Sequence, residues 1–414
     1  MNPPRIGLSQ LLERFRPGAT IYIPGASGEL ACLRRALIEQ PERLAGVELV
    51  SCLVPGMNVF DYAGLHEEAR LSTFLLSPAL RSSFKAGRIR LVPLAYSAIA
   101  QYLAELAPDI AILHVTPPQD GLCSFGTCAD FGTIVAGKAK VRIGVINTAL
   151  PRPRNSPTIP LEAFDAIAEV HEPPPAAAET APSADLVRIG VAVAKLVPNG
   201  AAIQTGIGQA PAAVWAAFSE HRNLRLRSGM VTNGFIHALE AGALAPDGHV
   251  AGVAFGDARL YDRLDGSDFV RFADARTTHG VGLTGAEGLV TINSALEVDL
   301  FGQMNLEWIA GRLISGVGGA PDFCRAGRLS RGGRSIVALP SSAREGAVSR
   351  IVPQLQSPSI SLPRDMVDTV VTEHGEASVR ELCLDARAET LIEIAAPQHR
   401  EDLARAWREL RAVV

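Results

Sequence analysis

Apolar and β-branched runs alternate along the first half of the chain with stretches of helical spacing. "TIYIPG" (20–25), "GVELVS" (46–51), "RIRLVPL" (88–94), "IAILHVTPP" (110–118) and "KVRIGVIN" (140–147) have the length and continuity of buried strands. Between the first two, "SGELACLRRALIEQ" (27–40) puts Leu30, Leu33 and Leu37 on one helical face, with Ser27 placed as the N-cap. The second half repeats the scheme. "AAIQTGIG" (201–208) reads as a strand and "PAAVWAAFSEH" (211–221) as a helix with Pro211 near its first turn. Further strands are expected at "HVAGVAFG" (249–256), "GLVTINSALEVDL" (288–300), "RSIVALP" (334–340) and "DTVVTEHG" (368–375). Alternation of this kind predicts an α/β fold with largely parallel sheets covered by helices.

One segment breaks the pattern. "HEPPPAAAETAPSAD" (171–185) is rich in Pro and Ala and has no apolar periodicity, so it is expected to link two domains, 1–170 and 186–414. A chain of 414 residues is long enough for two cores. No short-period repeat is visible.

Composition narrows the function classes. The chain is 47% hydrophobic, 20% charged and 5% aromatic, as in globular proteins. A net charge of −4 with no long basic run argues against a nucleic-acid or anionic-membrane partner. No apolar run is long enough to cross a bilayer, and the N-terminal segment, broken by Pro and charges, does not read as a secretory leader. The six cysteines, Cys32, Cys52, Cys123, Cys128, Cys324 and Cys383, form no CxxC pair and no zinc spacing, so no metal is expected. A cytoplasmic protein with reduced thiols is the resulting expectation.

Candidate chemistry concentrates in glycine loops. In "QTGIGQAP" (204–211) a strand runs through Gly206 and Gly208 into a helix start, where free N–H groups favour negative charge and a bare backbone admits a ligand closely. Pro211 stands where a dinucleotide fingerprint would have its third glycine. "SGVGGAPDF" (315–323) supplies Gly316, Gly318 and Gly319 after "INSALEVDLFGQMN" (292–305). "ALPSSAREGAVSRIVP" (338–353) leaves a strand with Ser341 and Ser342, followed by Arg344 and Arg350. Each loop taken alone is also compatible with a plain turn.

The order of these loops, closed by "VVTEHG" and "LIEIAAPQHREDL", resembles the acetyl-CoA hydrolase/transferase family, which includes 4-hydroxybutyrate and butyryl-CoA:acetate CoA-transferases. In the first half the likeness runs through "IPGASGELACLRRAL", "VTPPQDGLCSFGTCADF" and "VINTALP". The resemblance implies two CoA-transferase-type α/β domains with the active site in a cleft between them, and coenzyme A or an acyl-CoA as substrate. It places the CoA loop on Gly206, Ile207, Gly208, Gln209 and Ala210, and backbone contacts to CoA on Leu296 and Gly319, with Gly316 and Gly318 in the same loop. A homodimer is a common state of such proteins.

The family's nucleophile is a glutamate in a Ser/Thr-Glu-Met motif, which attacks the thioester and passes through a glutamyl-CoA intermediate. Here the motif is Ser228-Gly229-Met230, held in register by "GIGQAP" upstream and "NGFIHALEAGAL" downstream. Asn233 replaces the aspartate common before the next glycine, His374 replaces the tyrosine of a TEYG motif, and a histidine near residue 160 has no counterpart. A glycine cannot form the anhydride. Its small size is expected to leave room for a water or a bulkier acyl group.

Three readings remain. One is an acyl-CoA enzyme without the covalent route, performing hydrolysis or acyl-chain chemistry such as decarboxylation or elimination. Another is a transferase with a relocated carboxylate, for which Glu220, Glu240 and Glu297 are the candidates. The third is a non-catalytic acyl-CoA-binding protein. Ser228 is the nearest hydroxyl to the vacant position, with His279 and His374 as candidate bases. Cys123 and Cys128 read as small packing residues.

Overall fold

The computed structural model describes residues 2–177 and 181–413. The chain divides into two compact units. One contains Met1–Ala178, His249–Thr278 and Ile314–Gly316, and the other Glu179–Gly248, His279–Leu313 and Val317–Val414. Two short segments from the second half of the sequence thus fold with the first unit.

The first unit is built on seven parallel strands: β1 (Thr20–Tyr22), β2 (Glu48–Val50), β3 (Arg70–Thr73), β4 (Ile89–Leu91), β5 (Ile110–Val115), β6 (Val141–Asn147) and β7 (Ala166–Val170). Their order in the sheet is β4-β3-β2-β1-β5-β6-β7. All six residues of β5 are buried, as expected for a strand covered on both faces. The helix after β1 spans Ala31–Glu39 and buries Cys32, Leu33, Ala36 and Leu37. Ser27 does not cap it. The residue lies inside a 3₁₀ turn, Ala26–Gly28, and Leu30 occupies the N-cap without a side-chain bond.

The expected linker 171–185 falls partly outside the described residues. Its first part is pinned to the first unit: the Ala177 N–H donates to Gly256 O at 2.9 Å, and the Tyr261 hydroxyl donates to Pro175 O at 2.7 Å. At its far end Ser183 accepts from Leu186 N at 3.4 Å and caps the helix Ala184–Lys195.

The second unit carries a six-stranded sheet of β8 (Ala202–Thr205), β9 (Arg225–Leu226), β10 (Leu289–Asn293), β11 (Arg334–Ala338), β12 (Thr369–Thr372) and β13 (Gly375–Ser378), ordered β9-β8-β10-β11-β12-β13. Only the last pair is antiparallel. The apolar run 288–300 does not form one strand. It breaks after Asn293 and resumes at Glu297–Asp299 in a separate three-stranded sheet. Helices close on this framework through glycines: a Cβ on Gly190 would lie 2.5 Å from Ala213 O, and one on Gly327 would lie 2.7 Å from Thr291 Oγ1.

Candidate functional site

The C-terminal end of β8 delivers the first glycine loop. Gly206 follows the strand, its N–H donating to Ile292 O at 3.1 Å, and Gly208 is the N-cap of the helix Gln209–Ala216. With φ 108 and ψ −175, Gly208 holds a conformation open to little but glycine. The Gly206 amide is therefore spent on the sheet, and the amides able to face a ligand begin at Ile207 and Gly208. Ile207, Gly208 and Gln209 are exposed, and Ala210 is half-buried. Behind the loop, Trp215 Nε1 donates to Thr205 Oγ1 at 3.0 Å and fixes the helix to the strand end.

The Ser228–Met230 segment lies beside the same strand end. Ser228 is buried, and its Oγ donates to Thr205 O at 3.0 Å while accepting weakly from Met230 N at 3.4 Å. The single hydroxyl proton is thus committed to a backbone carbonyl. Asn233 opens the helix Asn233–Glu240 and is buried.

Gly229 is not an open space. A Cβ built on it would stand 2.7 Å from Cε1 and 2.9 Å from Nε2 of His279. A Cβ on Gly319 would stand 2.6 Å from Nε2 and 2.7 Å from Cδ2 of the same ring. Both separations are far inside ordinary carbon contact distance. The expectation of room for water or acyl group at residue 229 is corrected accordingly: the imidazole fills it. His279 is 7% exposed and packs on Phe323 with ring centroids 4.5 Å apart. Burial pushes its pKa down to about 3, so the ring is neutral at physiological pH.

Leu296 is half-buried, and its N–H donates to Asn305 O at 2.8 Å. Gly318 has φ +57, while Gly319, at φ −89, begins the helix Ala320–Leu329. Gly316 belongs to the first unit, where its Cβ would lie 2.8 Å from Leu75 Cδ2 and 3.0 Å from Phe74 O, so packing alone requires a glycine there. His374 sits in the turn between β12 and β13, its Nε2 3.6 Å from Glu373 Oε1.

Glu373 carries no signal in the sequence that marks it as part of the site. Its buried carboxylate accepts from Ser341 N at 2.8 Å and Ser341 Oγ at 2.6 Å. The two residues stand in the quoted "ALPSSA" and "TEHG" motifs, but their pairing has no local signature. The candidate relocated carboxylates are also accounted for: Glu297 accepts from Asn305 Nδ2 at 2.8 Å, Glu220 is exposed, and Glu240 ends its helix. Among the described residues no group of His, Cys, Asp and Glu is arranged to hold a metal ion, and no helix is long and apolar enough to cross a membrane.

The chain is 31% identical to the 4-hydroxybutyrate coenzyme A transferase of Clostridium kluyveri over 415 residues, 96% of each protein. It belongs to the acetyl-CoA hydrolase/transferase family. The family's N-terminal domain matches residues 6–178 and its C-terminal domain residues 256–407. Among solved structures, the 4-hydroxybutyrate CoA-transferase of Porphyromonas gingivalis superposes with a TM-score of 0.81 at 27% identity, covering 99% of this chain and 98% of that one. RipA from Yersinia pestis shares the fold at a TM-score of 0.90 and 24% identity, covering 99% and 98%. The α/β architecture expected from strand–helix alternation is that of the family.

Proposed function

We propose that this family member binds an acyl-CoA and acts on its thioester, or on the acyl chain next to it, without a covalent glutamyl-CoA intermediate. The observation that carries the reading is a pairing within the second unit: the exposed turn at Ile207–Gln209 holds Gly208 at φ 108 ahead of a helix start, while residue 229 is glycine and its side-chain space is filled by His279.

On this reading the amides from Ile207 and Gly208 into the helix start face the thioester carbonyl or a CoA phosphate, where N–H groups and the helix dipole favour negative charge. The Leu296 carbonyl and the Gly318–Gly319 turn supply further backbone contacts. With no protein carboxylate to take the acyl group, water is the acceptor in the hydrolytic form of the reaction. Its oxygen bonds to the carbonyl carbon, the C–S bond breaks, and the CoA thiolate leaves and takes up the water's proton. Chemistry on the acyl chain, decarboxylation or elimination, would instead leave the thioester intact.

Two further carboxylates of the second unit are already engaged, which supports a noncovalent route. Glu373 has both oxygens held by Ser341, and Glu297 is held by Asn305. Moving either onto a substrate would leave buried donors unpaired, at a cost of about 1–3 kcal/mol.

The test is a panel of acyl-CoAs, with free thiol release followed over time and products identified by mass spectrometry. Thiol release with free acid and no dependence on added carboxylate supports hydrolysis, and a mass change with the thioester retained supports acyl-chain chemistry. CoA exchange that requires added acetate would contradict the proposal.

A further inference from the structure

The proposed function leaves open what keeps a protein carboxylate out of this site. The contacts of His279 answer it. Its Nε2 edge enters the gap between two backbone positions: Nε2 would lie 2.9 Å from a Cβ at 229 and 2.6 Å from a Cβ at 319. Phe323 completes the surround, 3.7 Å from the first Cβ position and 3.0 Å from the second.

Backbone conformation does not explain these glycines. Gly229 has no positive φ and Gly319 has φ −89, so either position would accept an L side chain if space allowed. The ring is the first group that a side chain at either position would meet. Residues 229, 279 and 319 are therefore one interlocked unit, although 90 residues separate the first from the last.

We infer that His279 is the residue that fixes the reaction type of this site: its imidazole holds the space of the nucleophile's side chain and so excludes carboxylate attack on the thioester. The inference rests on the reading that residue 229 lies at the acyl-CoA site. A neutral ring suits the role, because it fills a desolvated space without requiring a counter-charge.

The consequence is a dependence between two substitutions. A glutamate at 229 meets the ring and is displaced from its working geometry, whereas removing the ring gives it space. In that space its carboxylate oxygen attacks the thioester carbonyl carbon and expels CoA thiolate, giving an acyl-glutamyl anhydride. The thiolate then attacks the glutamyl carbonyl and expels the acyl carboxylate, leaving a glutamyl-CoA thioester that borohydride reduces to an alcohol.

The experiment uses the full chain as wild type, Gly229→Glu, His279→Ala and the double variant. Each is incubated with acetyl-, butyryl- and 4-hydroxybutyryl-CoA, treated with borohydride and mapped by peptide mass. The double variant is expected to be reduced at residue 229 at least tenfold more than Gly229→Glu. Equal labelling of the two, or a double variant that binds CoA yet labels no more than the single, overturns the inference. Labelling of the wild type at another glutamate would defeat both the proposed function and the inference, whereas equal labelling of the two variants with an unlabelled wild type would defeat the inference alone.

A stability cycle with Gly229→Ala, His279→Ala and their combination tests the same contact without chemistry. Gly229→Ala is expected to lower the denaturation midpoint when His279 is present and to change it little when the ring is gone. Additive effects contradict the interlock.

Discussion

The Ser228 hydroxyl donates to the Thr205 carbonyl at 3.0 Å, and the segment that carries Gly229 is thereby tied to the strand that delivers the Gly206–Gly208 loop. The bond joins the two parts of the candidate site through the backbone rather than through a catalytic base. It also makes Ser228 a scaffold residue.

Ser228→Ala should therefore weaken the protein by about 1–2 kcal/mol, because the buried Thr205 carbonyl loses its donor, and should lower turnover only modestly. Denaturant midpoints with steady-state rates on the best acyl-CoA check this. A loss of turnover of a hundredfold or more at unchanged stability would instead make Ser228 a nucleophile.

Gly208 and Gly319 are glycines for different reasons, and variants should separate them. Gly208 has φ +108 with nothing within 4 Å of its Cβ position, so Gly208→Ala strains an exposed loop by about 1–3 kcal/mol without a clash. CoA affinity measured by calorimetry should fall at least tenfold, while the melting temperature should drop by only the several degrees that this strain accounts for. Gly319→Ala should act through His279, and His279→Ala should restore most of what it loses. Unchanged affinity in both single variants would remove these loops from the CoA site.

His279 predicts the acid limb of stability. Burial lowers its folded pKa to about 3, below the ordinary value near 6.5. The unfolded chain then binds the proton first, so the stability present above pH 6.5 is lost as pH falls toward 3, with a slope of about 1.4 kcal/mol per pH unit at most. Trp215, Trp308 and Trp407 all lie in the second unit, so tryptophan fluorescence in denaturant between pH 4 and 8 reads this unit directly. His279→Ala should flatten the acid limb. An equally steep limb in the variant would show that the imidazole is already protonated or solvated in the folded protein.

Asp130 in the first unit runs the opposite way. Burial raises its carboxyl to about 6, outweighing the bonds it accepts from Phe131 N, Cys128 and Tyr96. Its contribution is full below the unfolded value near 4 and is lost as pH rises through 6. Asp130→Asn should gain relative to wild type in melting temperature as pH goes from 5 to 8. A constant difference across that range would contradict a buried, late-ionising Asp130.

The continuous apolar runs were legible because strands buried on both faces leave no room for polar alternation, as β5 and β10 show. The strand Arg70–Thr73 was not, being short and opened and closed by polar residues. Ser27 misled for a related reason: a serine before a leucine stripe matches an N-cap, but the chain first makes a 3₁₀ turn and the helix begins four residues later. In the candidate site, the glycine loops and the Ser228-Gly229-Met230 segment stand in local sequence and are visible without a structure. The imidazole at Gly229 is not. No spacing rule links residues 229, 279 and 319, and the contact exists only once β8 and the helix Ala320–Leu329 have been packed. The Ser341–Glu373 pair is hidden in the same way, since its partners leave neighbouring strands 32 residues apart.

On the proposed mechanism no protein carboxylate takes the CoA. The most direct measurement is wild-type protein incubated with the acyl-CoA that turns over fastest, reduced with borohydride and mapped over all its glutamates. Turnover is expected with every glutamate unmodified. A glutamate reduced to its alcohol in proportion to active sites, at Glu220, Glu240, Glu297, Glu373 or elsewhere, would contradict it.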